Sequence, residues 1–247
     1  MPNGFSILIP TWNNLPFLQL CLSALRRHSV LEHEVSVHVN EGQDGTRSWL
    51  EREGIPLTGT AENVGVCRAL NAAFSRSTRP YIVYLNDDMV VCPGWDTVLM
   101  REIKALGHDR FYFSSMLIEP SSTGNRSVLA PHDFGADPAT FREAELLARY
   151  SAIPGEDRHG SSWPPSLMSR ALWQEIGGYD ERFSPGYYSD PDVSMKLWQR
   201  GVRVFRTLSE SLVYHFMSRS LGRVVKNDGQ RQFLEKWGMT AAHFYRY

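Results

Sequence analysis

Short apolar runs alternate with longer stretches of helical period along the N-terminal part of the chain. Phe5-Ser6-Ile7-Leu8-Ile9-Pro10 is β-rich, apolar and ended by proline, which predicts a buried strand. A helix follows: Asn14 can cap it, Pro16 suits its first turn, and Leu15, Leu18, Leu22 and Leu25 form one apolar stripe. Val35, Val37 and Val39 alternate with polar residues in Glu34–Asn40, a second strand. The polar turn Glu41–Gly45 leads to a short helix from Thr46, and Ile55–Thr60 carries a weak strand pattern. After Asn63, Val66, Leu70, Ala73 and Phe74 share a helical face, and Tyr81-Ile82-Val83-Tyr84-Leu85 has the composition of a central strand.

Strand and helix in alternation predict an α/β fold with a mostly parallel sheet flanked by helices. Ligands of such sheets bind beyond the carboxyl ends of the strands. The polar clusters Thr11-Trp12-Asn13, Asn40-Glu41 and Asn86-Asp87-Asp88 fall there. Between Glu119 and Pro165 prolines 120, 131, 138, 154, 164 and 165 interrupt the pattern, and only Pro138–Tyr150 has a helical period. Long surface loops are expected there, with the polar, Gly- and Pro-punctuated stretch Gly155–Trp163 mobile until substrates order it. Order returns in a helix over Asp190–Arg200, a strand over Val202–Thr207, an apolar run Ser211–His215 and a helix near Lys226–Trp237.

The 247 residues suit one α/β domain or two small ones. A net charge of −1 gives no general affinity for nucleic acid or anionic lipid. Cys21, Cys67 and Cys92 lie far apart with no Cys-x-x-Cys spacing, which argues against a disulfide framework or zinc site and suits a reducing compartment. The start lacks the basic and apolar regions of a signal peptide, and no apolar stretch reaches the ~18 residues of a membrane span. A cytoplasmic location is expected, compatible with peripheral attachment at the inner face of a membrane.

Two acidic clusters carry the candidate chemistry. Adjacent carboxylates at a strand end, as in Asn86-Asp87-Asp88, repel unless a cation holds them, and Mg²⁺ or Mn²⁺ typically bridges such an acid to substrate phosphates. The same triplet is also ordinary turn composition. In Ser189-Asp190-Pro191-Asp192 the plain reading is a helix start, with Asp190 as N-cap, Pro191 next and Asp192 favourable in the first turn. His215 after an apolar run is, taken alone, an ordinary hydrogen-bonded histidine. Tyr187-Tyr188 after Gly186 can present a sugar-stacking surface or pack in a core. Trp198 falls with Val193 and Leu197 on a packing face, and Arg68 and Asn71 are the polar members of a helix whose start can face phosphate.

Taken in order, these pieces resemble the inverting family 2 glycosyltransferases of the GT-A fold. Ile7-Leu8-Ile9-Pro10-Thr11-Trp12-Asn13 is similar to their first strand and its ending. Val39-Asn40-Glu41-Gly42 through Asp44-Gly45-Thr46 resembles their acidic turn, Asn63 to Asn71 their Asn-x-Gly…Asn helix, and Leu85–Asp88 their Asp-x-Asp motif. Gly177-Gly178-Tyr179-Asp180-Glu181, Tyr188-Ser189-Asp190-Pro191-Asp192, Val213-Tyr214-His215 and Lys236-Trp237-Gly238 continue the likeness to the end of the chain.

The resemblance implies transfer of a sugar from a UDP- or dTDP-sugar to an acceptor hydroxyl of a saccharide or lipid-linked saccharide, in surface polysaccharide or glycan assembly. It implies Mn²⁺ or Mg²⁺ at Asp88 and His215, and Asp190 as general base. Pro10, Thr11, Asn13, Asn40, Glu41, Asn63, Arg68, Asn86 and Asp87 would contact the nucleotide sugar, and Trp163, Tyr187, Tyr188 and Asp192 the acceptor. It implies a single domain over 1–247, with a nucleotide-sugar-binding half over about 1–118 and an acceptor-binding and catalytic half over about 119–247, and a homodimer is compatible with it.

Three positions depart from the family: Asn86 for its first Asp, Ser189 for the Glu before the base, and Asn40-Glu41 for the acidic pair that reads the base. They leave the donor open. A sugar-1-phosphate nucleotidyltransferase would carry a Gly-rich loop after the first strand, where Pro10–Asn14 has no glycine. A silent sugar- or nucleotide-binding module is opposed by the joint presence of Asp88, Asp190 and His215.

Overall fold

The computed structural model describes residues 4–160, 163–217 and 225–246. The N-terminal part follows the predicted alternation: β1 (Ser6–Trp12), α1 (Leu15–His28), β2 (Glu34–Asn40), α2 (Thr46–Arg52), β3 (Leu57–Thr60), α3 (Gly65–Phe74) and β4 (Tyr81–Tyr84). β3, β2, β1 and β4 lie side by side in that order, all parallel.

Beyond β4 the sheet becomes mixed. The chain continues through β5 (Met89–Val91), α4 (Trp95–Leu106), β6 (Phe111–Ile118), β7 (Val128–Leu129), α5 (Glu143–Arg149), β8 (Arg158–His159), β9 (Ser166–Ser169) and α6 (Arg170–Ile176). It ends with α7 (Ser189–Gln199), β10 (Val204–His215), α8 (Gly229–Trp237) and α9 (Ala241–Phe244). β9 is inserted antiparallel between β4 and β6, β10 runs parallel to β6, and β5 closes that edge antiparallel to β10. The sheet is thus all parallel over its first four strands and mixed beyond them, where β6 still pairs parallel with β10 and β7 while β5, β8 and β9 run antiparallel to their partners.

Several elements differ from the sequence reading. The strand expected over Val202–Thr207 and the apolar run to His215 are one strand, β10, because a bulge between Leu208 and Leu212 absorbs the polar residues between them. In the expected mobile stretch, Arg158–His159 pairs with Thr207 and Arg206 of β10, while residues 161 and 162 lie outside the described ones.

Side chains alternate across the sheet into two cores. Ile7, Ile9, Val83, Phe111 and Phe113 face one side, against Leu18, Leu22 and Leu25 of α1 and Trp95, Leu99 and Ile103 of α4. Leu8, Ile82, Tyr84 and Tyr112 face the other, against Cys67, Leu70 and Ala73 of α3, Trp173 of α6 and Val193 and Leu197 of α7. Each fully buried leucine contributes about 1.5–3 kcal/mol, so these two layers hold the strand ends rigidly. Cys21, Cys67 and Cys92 are free thiols inside these layers. Among the described residues no helix is long and apolar enough to cross a membrane.

Candidate active site

The strand ends meet at one edge of the sheet. At the ends of β1 and β2, Thr11 is buried and its Oγ1 donates to Asp87 Oδ2 at 2.7 Å. Asn40 is buried beside it: its Nδ2 donates to the Thr11 carbonyl at 3.4 Å, and its Oδ1 accepts from Val64 N at 2.9 Å. One side chain thus ties β1 and β2 to the turn that starts α3. Asn63 accepts from Gly65 N at 2.9 Å in that turn. Asn13 Nδ2 donates to Glu41 Oε2 at 2.9 Å, and Asn13 Oδ1 accepts from Gln43 N at 2.8 Å.

Strand pairing then brings distant residues to the acids after β4. In the antiparallel β5–β10 pair His215 is opposite Met89, so it stands next to Asp88. Its Nε2 is 3.3 Å from Asp88 Oδ2. In the parallel β6–β10 pair Tyr214 is opposite Ile118, so the following residues, His215 and Glu119, are neighbours. His215 Nδ1 is 2.7 Å from Glu119 Oε1. Burial alone would push the imidazole pKa down, but the Asp88 and Glu119 carboxylates outweigh it and lift it to about 10.

Asp190 stands on the other side, in the first turn of α7. The sequence reading made it the N-cap, and the structure corrects this. The cap is Tyr188, held in the left-handed region at φ 68, and Asp190 lies inside the helix with no capping bond. Its Oδ1 is buried without a hydrogen-bond partner among the described residues. Tyr84, Tyr112 and Tyr179, all buried, surround it closely enough that its charge adds to burial in raising their phenols. Burial in this setting pushes the Asp190 carboxyl up to about 7.

Asp192 has the opposite fate. It is fully buried, with its Oδ1 accepting from Lys236 Nζ at 2.6 Å and Trp237 Nε1 at 2.8 Å. Lys236 also holds Asp180 Oδ2 at 2.7 Å. The pair fastens α8 onto α7, so the structure does not bring Asp192 to an open acceptor surface.

The other predicted residues are distributed as follows. Pro10 is buried within β1, opposite His38, and Asn86 is half-buried, its carbonyl accepting from Cys21 Sγ at 3.7 Å. Arg68 is exposed and pairs with Glu181 Oε2 at 3.0 Å. Tyr187 is half-buried under Lys226 Nζ, 5.1 Å from its ring centre, Tyr188 packs on Phe233, and Trp163 is exposed.

α3 and the segment leading to Asp190 are in direct contact. Val66 N donates to the Pro185 carbonyl at 2.9 Å, and a Cβ on Gly65 would come within 2.6 Å of Pro185 Cα. Only glycine fits there, and its φ of +77 suits no other residue well. Among the described residues the non-glycine positions with positive φ are Asn13, Glu41, Tyr188 and Met217. They flank the site on both sides, and strained backbone of this kind collects where geometry serves function.

The donor set at Asp88 and His215 fits a divalent ion. A carboxylate oxygen and an imidazole nitrogen face each other at a strand end, and Glu119 occupies the other ring nitrogen. Among the described residues no three His, Cys, Asp or Glu side chains converge to hold a metal by themselves. The remaining ligands would come from substrate oxygens, the usual arrangement for Mg²⁺ and Mn²⁺ with phosphates. Glu119, Tyr84, Tyr112 and Tyr179 were missed by the sequence reading. Glu119 is marked only by following the apolar run of β6, a signal that gains meaning once the β6–β10 register is known.

Known proteins of this architecture place the geometry in context. The chain has the fold of Staphylococcus aureus TarS residues 1–349, with a TM-score of 0.62 and 13% identity over 86% of this chain and 60% of that one. It also resembles the mannosyltransferase PcManGT of Pyrobaculum calidifontis, solved with GDP-Man and Mn²⁺, with a TM-score of 0.62 and 17% identity over 88% of this chain and 58% of that one. The TarS fragment in complex with UDP-GlcNAc superposes with a TM-score of 0.58 and 16% identity, covering 87% of this chain and 61% of that one. The chain therefore spans about three fifths of these proteins, and the likeness is one of GT-A fold. A search of curated proteins finds no match. The profile described as Glycosyl transferase family 2 matches residues 6–175, which take in β1 to β6, Asp88 and Glu119, and the chain belongs to that family.

Proposed function

We propose that the protein is a metal-dependent, inverting glycosyltransferase that moves a sugar from a nucleoside diphosphate to an acceptor hydroxyl. The observation that carries this reading is that Asp190 and the Asp87–Asp88 pair both lie near enough to the buried Tyr84 to raise its phenol. Asp88 and His215 offer a donor set for a dication, and Asp190 is a carboxylate with a raised pKa whose buried Oδ1 has no hydrogen-bond partner among the described residues.

Asp88 and His215 would hold the metal, which when bound offsets the negative charge that develops on the leaving diphosphate. Thr11 fixes Asp87, and Asn40 and Asn13 fix the turns around it, so the nucleotide meets preset groups. Pro10, Asn63 and Asn86 complete this face. Asp190 accepts the proton of the acceptor hydroxyl while that oxygen bonds to the anomeric carbon and the bond from that carbon to the diphosphate breaks. Attack opposite the leaving group inverts the centre. A carboxyl with a pKa of about 7 is ionised often enough near neutrality to act and basic enough to take the proton. Tyr187, Tyr188 and the exposed Trp163 would offer aromatic surface to a saccharide or lipid-linked saccharide.

The similar structures carry UDP-GlcNAc in one case and GDP-Man with Mn²⁺ in another, so the donor base is the first question. The test is a thermal-shift panel of UDP-, dTDP- and GDP-sugars with Mn²⁺ or Mg²⁺, repeated with Asp88→Asn and with chelator. A donor at 100 times its Kd adds about 2.7 kcal/mol of stability, and Asp88→Asn or chelator removes that gain while the ligand-free melt stays in place. Absence of any shift across the panel, or full turnover in excess chelator, would overturn the reading.

A further inference from the structure

We propose that Glu119 is a positioning residue for the metal site, fixing the His215 imidazole so that Nε2 faces Asp88. The proposal rests on the reading above that Asp88 and His215 take a divalent ion.

Glu119 is well placed for this. It follows β6 directly and is buried at 4% exposure. Its backbone is pinned on both sides: its N–H donates to the Leu129 carbonyl at 3.1 Å, and its carbonyl accepts from His132 N at 2.8 Å. The side chain therefore starts from a fixed point, and Oε1 reaches His215 Nδ1 at 2.7 Å. A buried carboxylate is costly unless it is bonded, and Oε2 has no hydrogen-bond partner among the described residues. Glu119 commits one oxygen to a single ring nitrogen.

The chemistry follows from the imidazole. A histidine that donates Nδ1–H to a carboxylate is held from rotating, presents Nε2 to a metal that displaces the Nε2 proton on binding, and becomes a stronger ligand. Asp88 Oδ2 lies 3.3 Å from that Nε2, so the orientation that Glu119 imposes is the one that makes the two donors converge.

The test is Mn²⁺ binding to the full chain, read by the loss of free Mn²⁺ signal in electron paramagnetic resonance, with saturating UDP, GDP or dTDP. Wild type, Glu119→Gln, Glu119→Ala and Asp88→Asn are compared. Losing such an outer partner costs about 10–100-fold in metal affinity. Glu119→Gln, which keeps the shape, should fall at about the lower end and Glu119→Ala toward the upper one. Nucleoside diphosphate affinity without metal should be unchanged in Glu119→Gln, a separation that a merely structural role does not produce. Unchanged Mn²⁺ affinity in a folded Glu119→Gln, alongside a loss in Asp88→Asn, would overturn the role of Glu119 alone. Wild type that takes up no Mn²⁺ with any of the three nucleotides would overturn the metal reading and this proposal with it.

Discussion

Two acidic clusters lie near enough to the buried Tyr84 to raise its phenol, and they are built on different terms. At the strand end, Asp87 is held by Thr11, and Asp88 is paired with His215, which is braced in turn by Glu119. At the helix start, Asp192 is clamped by Lys236 and Trp237, while Asp190 Oδ1 has no partner. Partners hold a carboxylate ionised and in place, which suits a metal ligand or a structural clamp. Burial raises both acids of α7, but Lys236 and Trp237 pull against it at Asp192 and nothing does at Asp190, which makes Asp190 the better proton acceptor. Position in the sequence does not distinguish Asp190 from Asp192. What surrounds each one does.

The widest separation comes from substituting Asp190 itself. Asp190→Asn keeps the shape and removes the base, so transfer should slow by about 10²–10⁴-fold while donor affinity stays level, because the base faces the acceptor. Turnover and donor titration on one protein measure both. A folded Asp190→Asn enzyme at wild-type rate would place the base elsewhere. On the clamped side, Lys236→Met should destabilise by about 3 kcal/mol, since it strands the fully buried Asp192. A loss of that size lowers the melting temperature by roughly 6–12 °C for a chain of this length. Asp192→Asn should cost less, because Lys236 keeps Asp180 at 2.7 Å. Equal losses from the two variants would mean that Lys236 is not the centre of the clamp.

How far these differences can be read from sequence depends on the range of the interaction. β1, β2, β3 and β4 were legible because buried parallel strands are apolar runs with local turn signals at each end. β6, with Phe111–Ile118 buried throughout, was not assigned, and β9 is four residues whose place between β4 and β6 is set by long-range pairing. β10 was read as two pieces because the polar residues of its bulge break the pattern locally. The same limit governs the site. Asp87 and Asp88 stand out as acids after an apolar strand. Glu119 does not, since its meaning depends on the β6–β10 register. The cap reading of Asp190 failed because Tyr188 takes a left-handed φ and starts the helix earlier, a choice that no propensity favours for tyrosine. Asp192, expected at the acceptor, is covered by a helix far along the chain.

The smallest expected effect is also the one that most directly tests whether Asp190 is unpartnered. Its folded pKa is raised from 3.8 to about 7. The folded state therefore binds the Asp190 proton more tightly than the unfolded chain does. Between these two values stability falls as pH rises, and the deficit is complete once the folded carboxyl has ionised. Asp190→Asn cannot ionise and escapes this cost. Near pH 4 the wild-type carboxyl is protonated, and the two proteins should melt together. By pH 8 the Asn variant should be the more stable, by an amount on the order of 1 kcal/mol after allowing for the residual exposure of the side chain. Catalysis runs the other way over the same interval. The kcat/KM of the wild type should rise about tenfold per pH unit below 7 and level off above it, because only the ionised base works. Melting curves of both proteins from pH 4 to pH 8, beside the wild-type rate profile, measure the trade directly. An Asn variant that loses stability relative to wild type as pH rises would show that the Asp190 carboxylate is bonded and structural, and the contrast between the two acids of α7 would disappear.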